Sequence, residues 1–229
     1  RKTVMDAIDW DCEVKTLFRE TNVGPEVSIR GALTWFFEKV EFGIILEDDC
    51  LPDLSFFRFC EKLLNKFAKN EEISFISGSN FCEKKISNKY DYYIGQMGST
   101  WGWASWARVF VDFKWGNIYD LKQIHDKMIQ VYGKPFTDWQ FAIIKHSYEK
   151  EGNWDVDFFV HNLINNKKSI TPSVNLISNI GSIGTHFNKR ETNILHIPTD
   201  KIIVNNQLKM KHCNMPNSVK MKIIKSILE

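Results

Sequence analysis

Cysteines are few in this sequence and poorly spaced for any shared task. The five of them, Cys12, Cys50, Cys60, Cys82 and Cys213, are odd in number and never stand as C-x-x-C, which argues against a disulfide framework and against a cysteine zinc site. That usage fits a reducing compartment, so the expectation is a cytoplasmic protein. There is no G-x-x-x-x-G-K-[ST] loop, no G-x-G-x-x-G turn and no G-x-S-x-G elbow, so the usual phosphate cradle, dinucleotide turn and hydrolase nucleophile are excluded. None of the six histidines stands in H-E-x-x-H. No run approaches the ~18 apolar residues that a membrane span needs, and the opening RKTVMDAIDWDCEVK lacks the apolar core of a signal peptide. An excess of either charge is missing too. The 30 basic and 28 acidic residues leave a net charge of +2, too balanced for a chain that lives on nucleic-acid phosphates, and no nucleic-acid partner is expected.

What is present is ample material for a core. With 229 residues, 43% hydrophobic and 14% aromatic, the chain can bury a large apolar interior, and it shows no internal repeat, low-complexity tract or clear linker. It is therefore read as one unit over residues 1–229. In CEVKTLFRE, Val14, Thr16 and Phe18 alternate as in a strand, and TNVGPE supplies turn formers. Ser28 can cap a helix over IRGALTWFFEKV, where Ile29, Leu33, Phe36, Phe37 and Val40 share one face. GIIL follows as an apolar run expected to be a strand buried on both sides. The helical period returns in SFFRFCEKLLNKFAK through Phe56, Phe59, Leu63 and Phe67, and ISFISG offers another strand. Strand, helix, strand, helix, strand predicts an α/β fold whose mostly parallel sheet is flanked by helices, with ligands beyond the carboxyl ends of the strands. From Phe81 to about Tyr93 the pattern reads as a surface loop. Further helices are expected over Asp120 to Val131, Thr137 to Lys150 and Asp155 to Asn166, with a strand at SVNLIS. The terminal VKMKIIKSILE is basic and amphipathic, which suits docking on its own domain or peripheral membrane contact, the latter placing the protein at the inner face of the membrane.

The feature that demands a reason is GIILEDDC, where Glu47, Asp48 and Asp49 follow directly on a buried strand. Adjacent carboxylates raise one another's pKa unless a cation or hydrogen-bond donors compensate. Hard divalent ions such as Mn²⁺ or Mg²⁺ suit carboxylate oxygens and keep open positions for water and phosphate oxygens. The competing explanation is a solvated loop next to a helix N-terminus, with Asp53 and Ser55 as caps. Spacing alone does not separate the two.

In order, GIILEDDCLPDLSFFRFCEKLL, ISGSNF, TWGWASWARVF, NWDVDFF and TPSVNLISNIGSIGTHF together resemble a bacterial glycosyltransferase of the GT-A fold, family 2-like, and more distantly the N-acetylglucosaminyltransferases with an E-D-D motif. The likeness covers most of Asp9 to Phe187. It implies a GT-A-like, Rossmann-like sheet and transfer of a sugar from a nucleoside-diphosphate donor to a hydroxyl of a glycan or other acceptor, in building a surface polysaccharide or other glycoconjugate. It implies a donor half at about residues 1–110, an acceptor and catalytic half at about 111–190, and a tail at about 191–229. By the same comparison Asp49 holds the metal, Asp48 and Glu47 face ribose or donor-sugar hydroxyls, and Asp155, after Trp154, activates the acceptor. His186 is matched to a late histidine that helps hold metal or diphosphate. The family begins with a strand and base-binding loop upstream of anything visible here, so the sheet is expected to lack its first strand and an N-terminal portion to be missing.

The chemistry asks for the same parts. A Lewis-acidic ion offsets several kcal/mol of the charge that builds on a diphosphate leaving group, and a placed carboxylate that takes the acceptor's proton is worth about 10² to 10⁴-fold. Attack from the face opposite the leaving group inverts the anomeric centre. Asp157 and Asp138 are alternatives for the base, Asp138 standing where a helix cap is expected. In STWGWASWARVF the aromatic residues read as core or as a wall for a sugar ring, with Trp101, Gly102 and Trp103 near the donor and Trp106 inside. Asn22 and Gly24 lie in the loop where the family's nucleotide sits, and Arg30 is placed to reach a phosphate; turn formation and surface solvation explain these three nearly as well. The alternatives to sugar transfer are a sugar-phosphate nucleotidyltransferase, which usually wants a basic or glycine-rich loop not found here, and a non-catalytic carbohydrate-binding subunit.

Overall fold

The computed structural model describes residues 1–80, 90–96, 98–150 and 153–181. The short helix α1 (Lys2–Asp6) precedes an exposed extended stretch, and helix α2 spans Gly24–Phe37. Strand β1 (Phe42–Ile45) leads to the acids, then come β2 (Cys50–Pro52), α3 (Leu54–Lys66), β3 (Ile73–Ser77), β4 (Tyr92–Gly95) and β5 (Trp103–Trp106). Helices α4 (Leu121–Tyr132), α5 (Lys134–Glu149) and α6 (Trp154–Ile164) follow, and β6 (Lys168–Pro172) and β7 (Ile177–Asn179) close the described chain.

Five strands form one sheet in the order β1-β5-β3-β6-β4, and β2 pairs with β7 in a separate ribbon. The fold is thus α/β, but the sheet is mixed rather than mostly parallel. β5 inserts between β1 and β3 and runs against both, β4 runs against β6, and only β3 and β6 pair in parallel. β1, β3 and β6 nonetheless share one direction. Segment β1-α3-β3 has the helical crossover that parallel strands need, while β4 and β5 follow one another without a helix between them.

The expected strand at CEVKTLFRE is not formed: residues 12–20 pair with no strand among the described residues, and Val14 and Phe18 are exposed. Alternation there has no sheet face to bury. Among the described residues β1 is an edge strand paired with β5 alone, and Phe42 is 40% exposed, so it is not buried on both sides as its apolar run implied. Ser28 lies inside α2, which starts earlier at Gly24 with Pro25 in its first turn.

Three apolar clusters hold these elements. Phe56, Phe59, Cys60, Leu63 and Leu64 of α3 pack on Ile73, Ile76, Ala104, Trp106 and Ile170 of the sheet. The opposite sheet face presents Phe75 and Trp103 to Leu33 and Phe37 of α2 and to Trp154 and Phe158 of α6. A third cluster joins α4, α5 and α6 through Ile124, Met128, Ile144, Val160 and Leu163. Asp53 caps α3, its carboxylate accepting from the Ser55 amide at 2.8 Å, and Asp120 caps α4 in the same way. At the other end of α3, Arg108 donates to the carbonyls of Phe67, Ala68 and Ile73 while its guanidinium lies 4.5 Å from the Trp106 ring. No helix among the described residues is long and apolar enough to cross a membrane.

Candidate functional site

The acids occupy the carboxyl end of β1. A turn closed by the Cys50 amide on the Glu47 carbonyl at 3.1 Å carries the chain into β2. Glu47 and Asp49 are partly buried and Asp48 is exposed. The ribbon fixes Asp49 from the other side, since the Ile180 amide donates to its carbonyl at 2.8 Å. A side chain at Gly181 would place its Cβ 2.6 Å from Asp49 Oδ2, so any larger residue there would displace that carboxylate. The Cys50 thiol lies 3.6 Å from Asp49 Oδ1, and burial with neighbouring negative charge pushes it up to about 12, which removes it as a thiolate nucleophile.

Asp155 reaches the same place from elsewhere in the chain. The short turn at Asn165–Lys167 joins α6 to β6, so α6 runs back against its own strand and its first turn lies toward the carboxyl ends of β6, β3 and β1. Asp155 is exposed in that first turn. The electrostatics of Glu47 record the meeting: its carboxyl is raised from 4.5 to about 7, by burial first and then by the negative charges of Asp49, Asp155 and Asp48. Residues more than a hundred positions apart are thus near enough for their charges to act on one another.

The competing carboxylates are engaged otherwise. Asp157, with a side chain 1% exposed, accepts from Arg30 at 2.7 Å and from the Gly116 amide at 2.8 Å. Burial still raises its pKa, opposed by that amide and by Arg30. Asp138 is inside α5 rather than at its cap and pairs with Lys134 at 2.6 Å. Arg30 bridges Asp157 and Glu26, the latter at 2.9 Å, and its guanidinium lies 5.7 Å from the Trp115 ring. The arginine expected to reach a phosphate is therefore committed to tying α2 to α6.

The aromatic wall also gives way to packing. Trp103 is 1% exposed and its indole is surrounded by Phe75, Phe110, Trp154 and Phe158. Gly102 has φ +59°, and a Cβ there would lie 2.7 Å from Ile177 Cγ1 and 3.2 Å from Leu46 Cδ2, so the space it leaves is filled by protein and is closed to a sugar. Trp101 is partly exposed. Asn22 Oδ1 accepts from the Gly24 amide at 2.9 Å, a turn that starts α2, and Asn22 also lines a groove with Leu17, Phe18 and Ser28. His186, the tail and the basic terminal segment lie outside the described residues.

Sequence reasoning missed Glu26. Its carboxylate accepts from the Trp154 amide, at the start of α6. An acid in the first turn of α2 looks like an ordinary helix-end charge, and nothing local reveals a partner 128 residues away.

Among the described residues no group of three or more His, Cys, Asp or Glu side chains is placed to hold a metal ion. Carboxylate oxygens are of the donor type that hard divalent cations take. Burial first and then the neighbouring charges raise Glu47, and a bound cation would relieve the second cause. No protein-family model matches this chain, and no curated protein matches it.

Proposed function

We propose that this protein is a glycosyltransferase with a GT-A-like arrangement, moving a sugar from a nucleoside-diphosphate donor to an acceptor hydroxyl with inversion, in a reducing compartment and with Mn²⁺ or Mg²⁺. The observation that carries this reading is the convergence of Glu47, Asp48 and Asp49 with the exposed Asp155 at one edge of the sheet. The resemblance of the ordered motifs to glycosyltransferases supports it independently.

The cation, when bound, offsets the negative charge that develops on the departing diphosphate. The protein's own groups do the rest. Asp49, whose carbonyl accepts from the Ile180 amide, would hold that ion through its carboxylate. Asp48 and Glu47 accept hydrogen bonds from ribose or sugar hydroxyls, and a Glu47 that titrates near neutrality can also donate one. Asp155 takes the proton of the acceptor hydroxyl as its oxygen bonds to the anomeric carbon. The bond from that carbon to the phosphate oxygen breaks, and the nucleoside diphosphate leaves with the electron pair. Attack opposite the leaving group needs no carboxylate nucleophile, in keeping with one exposed carboxylate in the first turn of α6. The carbohydrate-binding alternative loses its chief support, because Trp103 is buried.

The test is a panel of nucleotide sugars with Mn²⁺, read as nucleoside diphosphate released. Release of pyrophosphate instead identifies a nucleotidyltransferase. Asp155→Asn is expected to lower turnover by about 10² to 10⁴-fold with donor affinity nearly intact; weakened donor binding at normal turnover refutes its role as base. Asp49→Asn is expected to abolish the Mn²⁺ dependence of nucleotide binding in titration calorimetry.

A further inference from the structure

The base proposed above sits on a helix that does not cap itself. The first amides of a helix have no intrahelical acceptor, and Asn153, at the N-cap of α6, makes no side-chain capping bond. The Trp154 amide is satisfied instead by Glu26. That carboxylate is in turn held by Arg30 at 2.9 Å, whose guanidinium also takes Asp157, one helical turn into α6, at 2.7 Å. Asp157 also accepts from the Gly116 amide at 2.8 Å. Two contacts from α2, one on a backbone amide and one on a buried carboxylate, therefore flank Asp155 on both sides in sequence.

We infer that Glu26 is a positioning residue for the transfer reaction: by capping α6 from α2 it sets the orientation in which Asp155 meets the acceptor hydroxyl. This rests on the sugar-transfer reading of Asp155. Glu26 touches neither substrate nor cation. Its effect falls on the proton-accepting step, while the donor is held by Glu47, Asp48 and Asp49 at the tip of β1. A displacement of about 1 Å in a reacting group is enough to cost about 10²-fold.

Two variants test it. Glu26→Ala removes the cap. Glu26→Asp keeps a charge for Arg30 but withdraws the acceptor from the Trp154 amide by about 1.5 Å, and it serves if the alanine variant does not fold. Each is expected to lower kcat by about 10-fold or more and to leave the donor KM within about twofold. Combined with Asp155→Asn, each is expected to add almost nothing, since it acts through that side chain. Hydrogen exchange supplies a readout independent of activity: amides at Trp154 and Asp155 should exchange about fivefold faster in both variants. Full turnover in a folded variant, an equal fall in the Asp155→Asn background, or unchanged exchange overturns the inference. A wild-type protein that transfers no sugar refutes the enzyme reading instead, an Asp155→Asn variant with normal turnover refutes that carboxylate's role as base, and in either case the exchange measurement still decides the cap.

Discussion

Glu47→Gln should make this protein more stable at alkaline pH, which is unusual for a substitution at a proposed binding residue. Glutamine keeps the size and the hydrogen-bonding oxygen of the side chain and removes its charge. In the folded chain the Glu47 carboxyl is raised from 4.5 to about 7 by burial and by Asp49, Asp155 and Asp48. Below pH 4.5 the group is protonated in folded and unfolded chains alike and the substitution changes little. As pH rises from 4.5 to 7 the unfolded chain releases a proton that the folded one retains, so folding loses free energy, and above 7 the whole penalty is present. At about 1.4 kcal/mol for each tenfold change in proton affinity the penalty has an upper value of about 3 kcal/mol, and solvent access to this partly buried group brings it to about 2 kcal/mol. In a domain of this size that is a gain of about 4–8 °C in Tm. Thermal unfolding of both proteins at pH 4 and pH 8, without divalent ions, measures it. Equal melting temperatures at pH 8, or a variant less stable there, would show that the acids do not meet as described. Mn²⁺ should raise the wild-type Tm more than that of Glu47→Gln, because the ion relieves a repulsion that the variant lacks.

Arg30→Ala should cost about 3 kcal/mol in urea unfolding, since it leaves the buried Asp157 carboxylate without its cation; a loss below about 1 kcal/mol would mean that the Gly116 amide alone satisfies that group. Gly102→Ala should cost about 2 kcal/mol or more, from its positive φ and from the Ile177 side chain that fills the space, and unchanged stability would show that the loop yields freely.

Helices were legible because their apolar faces repeat regularly, and Asp53 and Asp120 cap α3 and α4. α3, α4 and α6 lie within a few residues of the expected spans. Strands were legible only in part. β5 reads W-A-S-W and is buried throughout, so it shows no alternation, and β6, K-S-I-T-P, has a polar composition and a final proline although it is paired on both sides. In CEVKTLFRE the alternation is present and the pairing partner is not. Local pattern reports what a segment can do, while strand formation depends on a neighbour that the pattern does not contain.

The same division runs through the site. Three carboxylates in a row after an apolar run already impose a repulsion that something must compensate, and a carboxylate in the first turn of a helix is already favoured there, so the chemistry at stake follows from residue order alone. Which groups are free to perform it depends on long-range contacts. Arg30 and Asp157 neutralise each other, Trp103 is spent on packing, Glu26 caps a helix 128 residues away, and Asp155 stays exposed beside Glu47. Charges act through space, and only the folded chain sets those distances.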